Sequence, residues 1–268
     1  MKKRIIIFCA VLSVLSLTAF GFIGWDDTKT NQLKTIINED VASNSQVIEN
    51  INKKVFTDFI YDVGPRFSGI KKGDLNNAKS FSDFIGDEHA QRIVSYKSLS
   101  TIILEDDRQT DLRVTRNSGD LTAAQLEFLK SLDYSTNILI WADYTEKNKE
   151  TGELEESHWT PYLTIVPEKQ ASYQPGKDAL IQYLKESSED VRINVEAEKL
   201  QPAKLYFTVT KKGTIANVKL DRTSNYPAVD SKMVELITNA PGNWEPAENS
   251  KGEKVDQELV VSFGLMGC

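Results

Sequence analysis

The chain is expected to be an α+β protein built from two small α+β units, and three observations support this. Three runs near the C-terminal end alternate apolar and polar residues with period two: Leu205, Phe207, Val209; Ala216, Val218, Leu220; and Leu259, Val261, Phe263. That is the pattern of half-buried strands. Between the second and third runs, Val229, Met233, Leu236 and Ile237 fall on one stripe at helical spacing. Strand and helix signals also group on either side of the polar stretch Pro167 to Pro175, which has the composition of a linker. A chain of 268 residues is long enough for a core in each unit.

Taken in order, the chain begins with a basic Met1 to Arg4, then Ile5 to Leu17, apolar except for Ser13 and Ser16. Ala19-Phe20-Gly21 places small residues where an export peptidase cuts. Residues 1–21 are therefore a signal peptide or an N-terminal membrane anchor. The stretch from Ile5 to Trp25 also has the length needed to cross a bilayer. In both cases the body of the protein is exported, with the basic residues left on the cytoplasmic side. Residues 22–54 form a polar tether.

Residues 55–172 form the expected N-terminal α+β domain. Val55 to Val63 is aromatic and β-branched and predicts a strand, broken by Gly64-Pro65. Asp74 caps a short helix showing Leu75, Ala78, Phe81 and Ile85, which Gly86 stops. Ile93 to Leu104 is strand-like, as one strand or as two meeting near Lys97. Glu105-Asp106-Asp107 makes an acidic turn, and Leu112 with Val114 marks another strand. Thr122 and Gln125 spell a capping box, with Leu121 and Leu126 as its hydrophobic staple. Asn137 to Tyr144 and Trp159 to Val166 read as a long hairpin around the charged loop Thr145 to Ser157.

Residues 175–268 form the second domain. A helix opens it between Gly176 and Asp190. The first two strands are joined by Lys211-Lys212-Gly213, where glycine takes a left-handed turn position without a Cβ clash. The helix around Met233, the connector Trp244-Glu245-Pro246-Ala247 and the last strand complete it. The pattern predicts a three-stranded antiparallel sheet with helices on one face.

Composition excludes several functions. The formal net charge of −7 makes nucleic acid a poor partner, since phosphate binding needs clustered Lys and Arg. Cys9 and Cys268 are the only cysteines, so a chain without its leader has no internal disulfide. His89 and His158 are the only histidines and do not form the close pairs of a zinc site. The sequence has neither a Gly-x-Ser-x-Gly elbow nor a phosphate-binding Gly-rich loop. No enzyme activity, cofactor or metal is expected.

Order and spacing from Tyr206 to Gly264 resemble the C-terminal domain of TonB and TonB-like energy transducers. The matching positions are Gly213, Thr223-Ser224-Asn225, Val229-Asp230, Trp244 with Pro246-Ala247, and Gly252. The helix GKDALIQYLKESSED resembles the lead helix of one version of that domain. The resemblance covers about a third of the chain. It implies a periplasmic location in a Gram-negative envelope and a structural role for Gly213, Asp230, Trp244, Pro246, Ala247 and Gly252. It also implies a partner: an extended segment of an envelope or outer-membrane protein, such as a TonB-dependent transporter. That segment would add as a strand to the edge formed by Gln257, Glu258, Leu259, Val260, Val261, Ser262 and Phe263. Glu258, Val260 and Ser262 are expected to face outward. The other uses of this edge are pairing with a second copy, giving a homodimer, and cover by the middle domain. TonB proper has a histidine in its anchor and a long Pro-rich linker. This leader has no histidine, and the 8 prolines are scattered. A passive structural or interaction protein without energy transduction is the alternative reading.

Overall fold

Period-two and helical-period patterns dominate different stretches of this chain, and the computed structural model places a strand-rich mixed α+β arrangement on them. It describes residues 55–266 except 175 and 194, with backbone alone at 111–116. The expected leader, the tether, Cys9 and Cys268 lie outside the described residues.

The first half runs β1 (Ile60–Gly64), β2 (Ser68–Lys71), α1 (Lys72–Asn77), a 3-10 turn (Phe81–Phe84), α2 (Asp87–Ala90), β3 (Ile93–Glu105) and β4 (Arg108–Arg116). It continues with α3 (Ala123–Ser131), β5 (Asn137–Lys147), β6 (Leu154–Trp159) and β7 (Tyr162–Val166). A six-stranded sheet has the order β2-β7-β5-β3-β4, with β6 also paired to β5. One face carries Ile138, Ile140, Ala142 and Tyr144 of β5 into a core with Leu75, Phe81 and Leu129. On the other face Leu139 joins Ile102 and Leu104 in a smaller cluster, with Phe67 and Trp141 against it.

Several local expectations change here. β3 is one strand, with an irregularity between Tyr96 and Ser98 where Lys97 marks the break. The ladder of β5 and β6 continues to Lys147 opposite Leu154, so most of the expected charged loop is strand. The single helix expected from Asp74 is interrupted after Asn77. A second capping box, Ser80 with Asp83, starts the 3-10 turn: the Asp83 carboxylate accepts from the Ser80 backbone N–H at 2.9 Å. A side chain that caps a new turn competes with continuation of the old helix. The Thr122–Gln125 capping box forms, with reciprocal bonds of 2.9 and 3.0 Å. Gln125 is buried and its Nε2 also donates to the Leu99 carbonyl at 3.1 Å, so the cap ties α3 to β3.

The second half runs β8 (Ser172–Gln174), α4 (Lys177–Ser187), a 3-10 turn (Asp190–Arg192), β9 (Ala203–Val209), β10 (Ile215–Arg222) and α5 (Pro227–Thr238). Then come β11 (Asn243–Glu245), β12 (Ala247–Glu248), β13 (Lys254–Val255) and β14 (Gln257–Gly264). The sheet here has four strands, not three, in the order β1-β14-β9-β10, all antiparallel. The added strand is β1, expected in the N-terminal domain. Its inner side chains Tyr61 and Val63, with Phe59 just before it, enter one core with Leu180, Leu184, Phe207, Met233 and Phe263. The Tyr61 hydroxyl bonds to Ser188, and Arg192 donates to the Phe56 carbonyl at 2.9 Å. The described residues accordingly fall in a single compact unit with two main cores. Among the described residues no helix is long and apolar enough to cross a membrane.

Candidate functional site

Strand addition at β14 requires one of its flanks to be free. β9 occupies one flank, pairing Gln257–Phe263 with Val209–Ala203. β1 occupies the other, pairing Val260–Gly264 with Gly64–Ile60. β14 is therefore an interior strand, which corrects the expectation of an open edge at Gln257, Glu258, Leu259, Val260, Val261, Ser262 and Phe263. The alternation of apolar residues decides which face of a strand is buried; it carries no information about lateral neighbours.

Of the three residues that β1 does not reach, two bond to other segments, Glu258 through its N–H and Gln257 through its side chain. The Glu258 N–H donates to Ser135 Oγ at 3.0 Å. Gln257 is buried, accepts from the Ala171 N–H at 2.7 Å and donates to Gln170 at 3.2 Å. Leu259, Val261 and Phe263 fill the inner core. On the opposite face Val260, expected to point outward, is also buried. Ser262 is half-buried, and Glu258 alone of that expected trio is exposed. At the far edge of this sheet, β10 is irregular at two places, with Asn217 in a left-handed conformation. Together with exposed Lys219, Asp221 and Arg222, this is a guarded edge.

The remaining motif residues hold the second half together. Gly213 has φ +75, and a Cβ there would meet the Trp244 carbonyl oxygen at 2.5 Å. Trp244 is buried edge-on against Tyr173 and Phe207, with both centroid distances 5.4 Å. The half-buried Pro246 lies beside Gly213, and Ala247 is fully buried in β12. Gly252, φ +76, turns β12 into β13. Asp230 is buried at the start of α5, where it accepts from Thr223 Oγ1 and, at 2.9 Å, from the Ser224 N–H.

The two histidines have different partners. Nε2 of His89 shares a 2.8 Å hydrogen bond with the Tyr144 hydroxyl and lies 3.4 Å from buried Glu146, which Arg92 also approaches at 3.3 Å. His158 stacks on Trp141 beside Asp143, its partner across the ladder. Asp143 accepts from Ser98 Oγ at 2.6 Å and from Trp141 Nε1 at 3.0 Å, and these bonds hold its carboxyl below the ordinary value. Serine, aspartate and histidine thus meet with the aspartate bonded to the serine. A histidine that could take the serine proton is not between them, as nucleophile activation requires. Among the described residues no group of three or more His, Cys, Asp or Glu could hold a metal ion.

Sequence reading missed one cluster. Arg66, Lys204 and Arg222 line a recess of about 300 Å³ at one end of the four-stranded sheet. They come from three distant segments, so no local motif announces them. No family model, curated protein or solved structure matches the chain.

Proposed function

We propose that this protein is an exported, periplasm-facing interaction protein of the cell envelope, whose TonB-like C-terminal unit serves as a passive module without energy transduction. The leader pattern supports export. The turn, helix start and Trp-x-Pro-Ala connector support the likeness of the unit. The observation that carries the passive reading is the pairing of β1 with β14. A segment of the same chain takes the flank that an incoming peptide would need.

Displacing β1 would expose Phe59, Tyr61 and Val63. At about 1.5–3 kcal/mol for each buried side chain, that costs roughly 5–9 kcal/mol before any ladder bond is counted. β1 is also tethered, and a tethered competitor acts at an effective concentration on the order of millimolar. A free peptide replacing it must overcome both. Envelope partners therefore dock on surfaces other than β14.

The test is titration of the purified protein with N-terminal peptides of outer-membrane transporters, followed by calorimetry and by hydrogen exchange at β14. The expected result is no saturable heat and unchanged protection of the Val260 to Gly264 amides. Binding accompanied by deprotection of β1 would establish strand exchange and overturn the passive reading.

A further inference from the structure

A single row of residues crosses all four strands of the second sheet. Asp62 of β1 stands opposite Ser262 of β14, Ser262 opposite Lys204 of β9, and Lys204 opposite Arg222 of β10. Like charges directly opposite on one face are unfavourable, yet Lys204 and Arg222 are neighbours here. A third cation, Arg66, comes from the loop after β1 and lines the same recess.

The carboxylates nearby do not balance them. Asp62 is taken by Lys177 at 2.6 Å. Asp107 receives Nε and Nη2 of Arg66, leaving Nη1 of that guanidinium for another acceptor, and Arg222 lies 3.7 Å away. Among the described residues no carboxylate pairs with Lys204. Its ammonium is held below the ordinary lysine value, first by burial and then by repulsion from Arg66 and Arg222. Attraction from Asp107 and Asp221 ranks behind these. In a protein of net charge −7 this is a local positive field. The rest of the lining is Ser262, the Lys177-paired Asp62, and an apolar part made by Ile60, Pro202, Ala203, Phe263, Leu265 and Met266, the last 80% exposed.

We propose that this recess binds a phosphate group carried on a short apolar stem, with Lys204, Arg222 and Nη1 of Arg66 around the phosphate, Ser262 donating to it, and the stem lying along Ile60, Leu265 and Met266. A dianion offsets the repulsion among the three cations, and charge-assisted bonds of this kind are among the strongest side-chain contacts. The volume suits a small ligand or the exposed end of a larger one. The source is a soluble phosphate ester or the headgroup of an anionic lipid. The assignment is independent of whether β14 accepts a peptide.

The experiment titrates the purified protein with octyl phosphate, inorganic phosphate and octanol, then with vesicles of phosphatidylglycerol or phosphatidylcholine. Octyl phosphate is expected to bind saturably, about tenfold or more tighter than inorganic phosphate, while octanol does not bind. Added sodium chloride should weaken the binding. Lys204→Gln and Arg222→Gln should each weaken it by about tenfold or more, whereas Lys204→Arg retains it and Lys219→Gln leaves it unchanged. Sedimentation with phosphatidylglycerol vesicles alone, reversed by octyl phosphate, assigns the site to a lipid headgroup. Octyl phosphate binding without sedimentation assigns it to a soluble ester. The proposal is overturned if octyl phosphate shows no saturable binding, if its binding ignores salt, or if folded Lys204→Gln and Arg222→Gln proteins bind it as the parent does.

Discussion

Gly213 and Gly252 share a left-handed backbone, φ +75 and +76, but not their surroundings. A Cβ on Gly213 meets the Trp244 carbonyl, while a Cβ on Gly252 meets nothing within 4 Å. Gly252→Ala should therefore cost only the conformational penalty, about 1–2 kcal/mol. Gly213→Ala should cost clearly more, because the hairpin must also move away from the Trp244 connector. Paired denaturant titrations measure both, and equal costs would contradict the close approach. Asp230 holds the Thr223–Ser224 turn against α5, so Asp230→Ala leaves the buried Ser224 N–H without an acceptor and should lose about 1–3 kcal/mol by the same measurement. Tyr206 offers a pH test. Burial pushes its phenol up to about 12 from an ordinary value of 10.0. The unfolded chain then releases this proton before the folded one does, so stability falls as pH rises through that interval. Thermal melts between pH 10 and 12 should show a shallower decline for Tyr206→Phe than for the parent. Sequence made the glycines and Asp230 visible as motif positions. The field around Lys204 was not visible, because Arg66 and Arg222 reach it only through folding.

β1 shows what an element owes to its neighbours. Its aromatic and β-branched composition was legible as a strand, and so were the alternating faces of β9 and β14. Its destination was not, because two-residue periodicity is satisfied by any sheet with an apolar layer beneath it. The inner side chains of β1 find that layer over α4 and α5. Tyr61→Ala should cost about 3–5 kcal/mol, since it empties a core position and removes the bond to Ser188. Hydrogen exchange should then quicken at Val260 to Gly264, where β1 is the partner, and change less at the β10 ladder. Uniform change across the sheet would mean that β1 is not a separable closing strand. The Thr122–Gln125 cap went the other way. A local signal predicted a local structure, because its donors and acceptors lie within one turn. The helix from Asp74 failed for a local reason as well: Ser80 and Asp83 write a competing start.

At the scale of the molecule, the turn between β3 and β4 places Asp107 against Arg66 and near Arg222, joining the six-stranded sheet to the four-stranded one. Burial pushes the Asp107 carboxyl up, but its bonds to Arg66 and the charges of Arg66, Lys204 and Arg222 more than offset this and hold it below the ordinary value. A depressed acid stabilises the fold above its unfolded pKa, and that contribution is lost as pH falls below about 4. Asp107→Asn should lower stability by about 2 kcal/mol at neutral pH and flatten the acid limb of the stability curve. An unchanged acid limb would remove this contact from the account. By itself the sequence determined the mixed α+β class, most strand and helix positions, the capped α3 and the glycine turns. All of these rest on interactions between residues close in the chain. Tertiary structure alone decided that β1 closes the second sheet, that β14 lies inside it and that three distant cations share one recess. Such choices depend on which apolar faces and charges meet after the chain has folded back, and no local pattern records them.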